Sequence, residues 1–380
     1  MRICMAAVYD IRNPRSWSGT PYSLYKAMSA IDENEITTIR LSDYHTQRNL
    51  KQNMLRNTDI KESLHAHGRV SKLGMSDQNP LNSALLQKHC RKEDFDALLE
   101  FGGFLPGKNL PPYYIYSDSS HDLALDYYAK YGYLPFGHAA KSVEDIRKAA
   151  DFAKQIYRNA QGVFCMSQWM ADSMIQTTGV PADRVHVVYA GANWHDADVT
   201  FPEKPHSIDG KKEIHLLLVG VSYEGKGVDL AQKALEILNR GSDKEYYLHV
   251  CGIRTPFEHD AHVLNHGFTS KPDLVKLLTA CDVFVLPSRF DCFGISFVEA
   301  MQFGLPCVGR NICAMPEIIE KGVSGELISA QDDAQELADC IDRICRDPAR
   351  YEQYSIHALQ NSKRFSWSNV AADMMRVLQK

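Results

Sequence analysis

Several patterns that would assign this 380-residue sequence at once are missing, and each absence removes a class. No apolar run approaches the ~18 residues of a membrane-spanning helix. The opening MRICMAAVYD has one basic residue and a short apolar run ending at Asp10, too short for a secretory signal, and reads as a first buried strand. The expected location is therefore the cytoplasm, with peripheral contact to a membrane surface left open. The ten cysteines form no C-x-x-C pair and no zinc-type spacing with histidine. Several sit in apolar runs such as VFCM and CDVFVL, as small buried hydrophobes of a reducing compartment do. A net charge of -5 gives no bulk attraction to nucleic acid. G-x-G-x-x-G is absent, which argues against a dinucleotide oxidoreductase. No internal repeat or low-complexity tract is visible.

What is present is alternation. RICMAAVY, ITTIRLS (Ile36–Ser42), FDALLEFGGF (Phe95–Phe104), YYIYSD (Tyr113–Asp118), GVFCMSQ and RVHVVYAGAN read as strands separated by loops and helical patterns, with VEDIRKAADFAKQIYRNA a clear amphipathic helix. A stretch rich in Asp, Pro, Lys and Gly at 195–212 reads as an interdomain linker. The alternation then restarts with IHLLLVG and runs through YYLHVCG, DVFVLPS and LPCVGR, with helices between. Apolar strands alternating with amphipathic helices imply parallel sheets covered on both faces. The expected fold is α/β: two Rossmann-like doubly wound domains, 1–200 and 213–363, and a closing helix over 364–380. Between Tyr44 and Met75, Arg48, Lys51, Arg56, Lys61, Arg69 and Lys72 stand against only Asp59 and Glu62. That stretch reads as a solvated helical face, or as a basic patch for an anionic acceptor or membrane surface.

Ligands of open α/β sheets bind at the carboxyl ends of strands. There, DVFVLPS runs into SRFDCFGIS, and a helix begins near Ile295. The amides of Gly294, Ile295 and Ser296 at that helix start suit phosphate or a sugar hydroxyl. Asp291 precedes the helix, and Glu299 lies inside it among apolar neighbours, where an unpaired carboxylate would be costly. In LLLVGVSYEGKGVDLA, Lys226 stands between a strand and a helix, placed to neutralise a diphosphate. Gly220, Gly225 and Lys226 also satisfy G-x-x-x-x-G-K, but Gly227 follows instead of Ser or Thr, so the magnesium-binding hydroxyl of a P-loop is missing. Gly19, in WSGTP after the first strand, and Asp118 and His121, after YYIYS, complete the strand-end candidates.

With these residues in place, the sequence resembles the retaining glycosyltransferases of family 4, the sucrose-synthase and mannosyltransferase-like group, most densely from about Val163 to Trp367. The family's E-x7-E element reads here Asp291-CFGISFV-Glu299, followed by AMQFGLPCVG. CMSQWMADSMI, GFTSKPDLVKLLTACDVFVLPS, MPEIIEKGVSGELI and the tail RFSWSNVAADM match as well. The resemblance implies the GT-B fold, two domains facing a cleft with the last helix crossing back to the first. It also implies transfer of a sugar from an NDP-sugar, UDP- or GDP-linked, to a hydroxyl acceptor of carbohydrate or lipid-linked type, with retention and with neither metal nor other cofactor. It would place Glu299 on the nucleotide ribose, Lys226 on the diphosphate, and Asp291 with the backbone of Phe293, Gly294, Ile295 and Ser296 on the donor sugar. Gly19 would approach the phosphates and the Phe268 backbone the base. Three departures stand out. The first acid is Asp291 instead of Glu. Val221 replaces the family's arginine after the strand-ending glycine, with Arg289 the candidate substitute. No T-x-H-D element is present, which leaves Asp118 or His121 for its role. A nucleotide-sugar-binding protein without turnover is the main alternative; a phosphorylase or epimerase of the same fold and, more remotely, a P-loop NTPase are the others.

Overall fold

The computed structural model describes residues 1–44, 79–103, 109–132, 142–194 and 199–380; most of the basic stretch between Tyr44 and Met75 lies outside them. The chain divides into two compact units, one of Met1–Tyr189 with Trp367–Lys380 and one of Ala190–Ser366. The division at Tyr189 precedes the 195–212 stretch.

The first unit is built on a six-stranded sheet in the order β2-β1-β3-β4-β5-β6, with every pairing parallel. Its strands are β1 (Arg2–Ala7), β2 (Glu35–Arg40), β3 (Ala97–Phe101), β4 (Tyr113–Ser117), β5 (Gly162–Cys165) and β6 (Val185–Val187). β1, β3 and β5 are almost wholly buried, whereas the edge strand β2 is largely half-buried. This is the signature of a sheet covered on both faces. Its helices are α1 (Thr20–Ser29), α2 (Asn79–His89), α3 (His121–Tyr131), α4 (Val143–Asn159), α5 (Gln168–Ser173) and, from the end of the chain, Trp367–Leu378, which packs on α1. A reciprocal capping box between Ser142 and Asp145 starts α4.

The second unit has its own all-parallel sheet, in the order β12-β11-β10-β7-β8-β9. The strands are β7 (Glu213–Val219), β8 (Glu245–Cys251), β9 (Val263–Gly267), β10 (Val283–Leu286), β11 (Cys307–Arg310) and β12 (Gly325–Ile328). The helices are α6 (Val228–Gly241), α7 (Lys271–Ala280), α8 (Ile295–Met301), α9 (Met315–Ile318), α10 (Ala334–Cys345) and α11 (Pro348–Ser362); Trp367–Leu378 is then α12. α6 buries Val228, Ala231, Ala234, Leu235 and Leu238, the three-and-four spacing of one helical stripe. β9 and β12, absent from the sequence reading, are sheet edges: β9 carries VLNHG, with only its first residue fully buried. Among the described residues, no helix is long and apolar enough to cross a membrane.

One face near the β9 edge carries a row of histidines. His215 Nδ1 lies 3.0 Å from His249 Nε2, and His249 Nδ1 lies 2.9 Å from His266 Nε2. Burial, reinforced by charge on His215 and His266, lowers the pKa of His249 from 6.5 to about 4. A folded-state pKa below the unfolded one means that the unfolded chain binds the extra proton as pH falls. Stability from this group is full above pH 6.5 and is lost as pH drops toward 4. Urea midpoints measured between about pH 7 and about pH 4 should fall with acidity, and His249→Gln should flatten that slope; an unchanged slope would remove His249 as its source.

Candidate functional site

The strand order decides which loops meet. β10 lies beside β7 with Val283 paired to Leu216 and Phe284 to Leu217, so the loops leaving their carboxyl ends are neighbours. The first loop, 220–227, carries Lys226. The second, 287–294, carries Asp291. Gly227 caps α6 in the left-handed region (φ 71°), and a Cβ there would stand 2.5 Å from the Pro287 carbonyl oxygen. The two loops touch through backbone at this point because no side chain intervenes. The Arg289 N–H also donates to the Gly225 carbonyl at 3.0 Å.

Lys226 Nζ and Asp291 Oδ2 are 2.6 Å apart, and both side chains are largely shielded from solvent (23% and 16% exposed). The other Asp291 oxygen accepts from the Gly294 amide at 3.1 Å. That bond revises the sequence reading: the Gly294 N–H serves its own loop, which leaves Ile295 and Ser296, both half-buried, as the amides at the helix start. Gly294 caps α8 at φ 79°. A Cβ there would lie 2.8 Å from Met315 Cε and 2.9 Å from Phe297. The Phe293 ring is buried against Phe365, 6.1 Å between centroids, and anchors the loop.

Glu299 is buried but not alone. Its Oε1 accepts from Lys271 Nζ at 2.7 Å and from the Asn193 amide at 3.3 Å. The Lys271 ammonium sits 4.8 Å from the Trp194 ring centroid, and Trp194 in turn donates to Gln302 at 2.6 Å. The expectation of a costly carboxylate in an apolar helix is thus met by a salt bridge from the start of α7. Lys271 and Asn193 were not singled out from sequence; FTSKPDL and AGAN offer no spacing that ties either to Glu299.

Arg289, the candidate substitute for the arginine missing at Val221, is already held within the protein. Its guanidinium is held by Asp229 (2.9 and 2.8 Å) and Asp332 (2.9 and 2.6 Å), and it also donates to the Glu224 carbonyl. The bond from Asp229, foremost, raises its already high pKa. Val221 is 83% exposed and Phe268 71% exposed; the Arg254 guanidinium carbon lies 5.2 Å from the Phe268 ring centroid. Cys313 adopts φ 50°, uncommon for a residue with a side chain, and takes a hydrogen bond from the Asp291 backbone. Burial pushes its thiol up to about 12.

The first unit gathers the remaining candidates at its own strand ends. Asp118 follows β4 and is half-buried; charge on it adds to burial in raising the hydroxyls of Tyr9 and Tyr116. His121 opens α3 and is exposed. Gly19 caps α1 at φ 89°, preceded by Trp17 (φ 43°) and Ser18 (φ 56°), both also left-handed. Two consecutive non-glycine residues in that region store strain, which concentrates at functional sites. Trp17 is steadied by Phe101 and Tyr116, each 6.3 Å away between centroids, and Tyr116 donates to the Tyr189 carbonyl at 2.7 Å. Among the described residues, no group of three or more His, Cys, Asp or Glu side chains is placed to hold a metal ion.

Residues 201–360 match the family described as Glycosyl transferases group 1. The chain is 25% identical over 232 residues to the serotype-specific mannosyltransferase WbdA of Escherichia coli; the match takes in 57% of this chain and 28% of WbdA, so the chain spans little more than a quarter of that relative's length. Its fold is that of WaaG, a glycosyltransferase involved in lipopolysaccharide biosynthesis (TM-score 0.68, 15% identity, 99% of both chains). It is also similar to that of Anabaena HepE, solved in complex with UDP and glucose (TM-score 0.60, 16% identity, 100% of this chain and 99% of that one). At such identities the likeness shows the fold, which is GT-B.

Gly294→Ala should lower the urea unfolding midpoint, by about 1–3 kcal/mol in stability, because alanine must take the left-handed conformation and displace Met315. A variant as stable as the parent would show that this turn relaxes freely.

Proposed function

We propose, for a chain whose residues 201–360 match the glycosyl transferases group 1 family, that it moves a sugar from a nucleoside diphosphate sugar to a hydroxyl acceptor. The observation that carries the reading is the meeting of Lys226, Asp291 and the start of α8 at the carboxyl ends of β7 and β10, the position where open α/β sheets bind ligands. In this reading the Lys226 ammonium and the Ile295 and Ser296 amides take the diphosphate, and Glu299 takes the ribose hydroxyls.

The reaction breaks the bond between the anomeric carbon and the diphosphate oxygen. It forms a bond from that carbon to the acceptor oxygen on the same face, giving retention, and the acceptor proton leaves to a diphosphate oxygen. Negative charge grows on the leaving diphosphate as the bond breaks, so a fixed cation and fixed amides lower the barrier more than they tighten substrate binding. Charge neutralisation falls to Lys226 in this scheme, and no metal step is invoked. Acceptor recognition is assigned to the first unit, with Asp118 or His121 as its candidate acid/base residue. The lipopolysaccharide and mannosyltransferase relatives favour a cell-surface glycan or glycoconjugate as product.

A second reading, donor binding without turnover, is favoured by one observation: Lys226 is already paired with Asp291, and Val221 supplies no second cation. In a thermal-shift panel of UDP-, GDP- and ADP-sugars, one nucleotide should stabilise the chain by about 2.7 kcal/mol at a hundredfold excess over its dissociation constant. Glu299→Ala and Lys226→Ala should each remove that shift. Slow release of free nucleoside diphosphate from the stabilising donor selects the transferase; binding without any release selects the second reading. A chain stabilised by none of the three contradicts both.

A further inference from the structure

Asp332 lies outside every motif of the sequence, in the loop between β12 and α10, yet both loops of the candidate site depend on it. Its Oδ2 accepts from Arg289 Nε at 2.9 Å and Nη2 at 2.6 Å, and its Oδ1 accepts from Arg310 Nη2 at 2.7 Å. Each arginine then holds a different loop. Arg289 clasps the Lys226 loop through the Glu224 carbonyl and through a two-pronged bond to Asp229 in the first turn of α6, while its own N–H holds the Gly225 carbonyl. Arg310, 2% exposed, donates to the Pro287 carbonyl at 3.1 and 3.4 Å, where the Asp291 loop begins, and to the Ala330 carbonyl at 2.8 Å on the Asp332 loop.

The four side chains balance, two cations against two carboxylates, and Asp332 is the one member shared by both arginines. Burial pushes its carboxyl up, but the hydrogen bonds from Arg289 and Arg310 outweigh that and hold it below the usual carboxylate range. Planar guanidinium groups fix direction as well as distance, which a lysine in either place would not do. Without Asp332, Arg310 would be a buried cation with no carboxylate partner among the described residues, and Arg289 would lose one of the two anions that set its plane.

We infer that Asp332 is a positioning residue for the diphosphate end of the donor site. Acting through Arg289 and Arg310, it sets the spacing of the loops that present Lys226 and Asp291, and it touches no ligand itself. The inference rests on the donor-binding reading above and adds to it a residue whose effect is confined to the phosphates, since the clasp reaches the Lys226 and Asp291 loops but not Glu299.

The test compares ligands with and without phosphates. UDP, GDP and ADP, and the parent uridine, guanosine and adenosine, are titrated into the wild-type chain, Asp332→Ala and Asp332→Glu, with the melting temperature of each recorded. Asp332→Ala should weaken the preferred diphosphate about tenfold or more, the scale of one charge-assisted contact, while the matching nucleoside changes less than about twofold. Asp332→Glu, which keeps the charge and both acceptor oxygens, should recover most of the loss. Equal weakening of diphosphate and nucleoside, or no weakening of either, overturns the positioning role. If Asp332→Ala does not fold, Arg289→Lys serves for the same comparison, with the same expected selectivity and the same overturning result. A wild-type chain that binds none of the three diphosphates overturns the donor reading itself, and the positioning role with it.

Discussion

The contact between Lys226 and Asp291 organises the second unit's site. It exists because β10 is inserted beside β7, so two loops more than 60 residues apart in sequence leave the sheet side by side. Parallel strands deliver both loops at the same edge, and Gly227 lets one backbone rest on the carbonyl of Pro287 in the other. The remaining features of the site serve to keep these two loops in register: the Gly294 turn, the buried Phe293 ring, and the Arg289–Asp332–Arg310 clasp.

The pairing also sets the terms of ligand binding. On the proposed reading, a diphosphate draws the Lys226 ammonium away from a carboxylate 2.6 Å distant in a partly shielded place, so its affinity reports a difference between two favourable contacts. Glu299 poses the same arrangement in reverse. Its carboxylate already accepts from Lys271 and Asn193 through Oε1, which compensates its burial in an apolar helix. Each charged group of the site is held by a protein partner before any ligand arrives, so binding exchanges existing contacts for new ones.

The fold was largely legible in the sequence because its strands are short, apolar and separated by strongly amphipathic helices; α4 and α6 could be read from spacing alone. β9 escaped because an edge strand reading VLNHG buries too little to show a pattern. At the site, Lys226 and Asp291 could be picked out because glycine-marked loops follow apolar strands, and Glu299 because the helix around it is apolar. Their partners could not. Lys271, Asn193, Arg310 and Asp332 come from segments distant in sequence, and nothing local marks a lysine that begins a helix as the counter-ion of a glutamate 28 residues away. Arg289 shows a further limit: its position near the motif made it a phosphate candidate, whereas nothing in the sequence marks the two distant aspartates, Asp229 and Asp332, that hold its guanidinium.

The most direct test of the account is a crystal structure of the chain grown with whichever of UDP, GDP or ADP binds it most tightly. The account expects the phosphates within hydrogen-bond distance of the Lys226 ammonium and the Ile295 and Ser296 amides, and the ribose hydroxyls on Glu299. A nucleotide bound elsewhere, or phosphates seated with Lys226 still paired to Asp291 and out of reach, would contradict it.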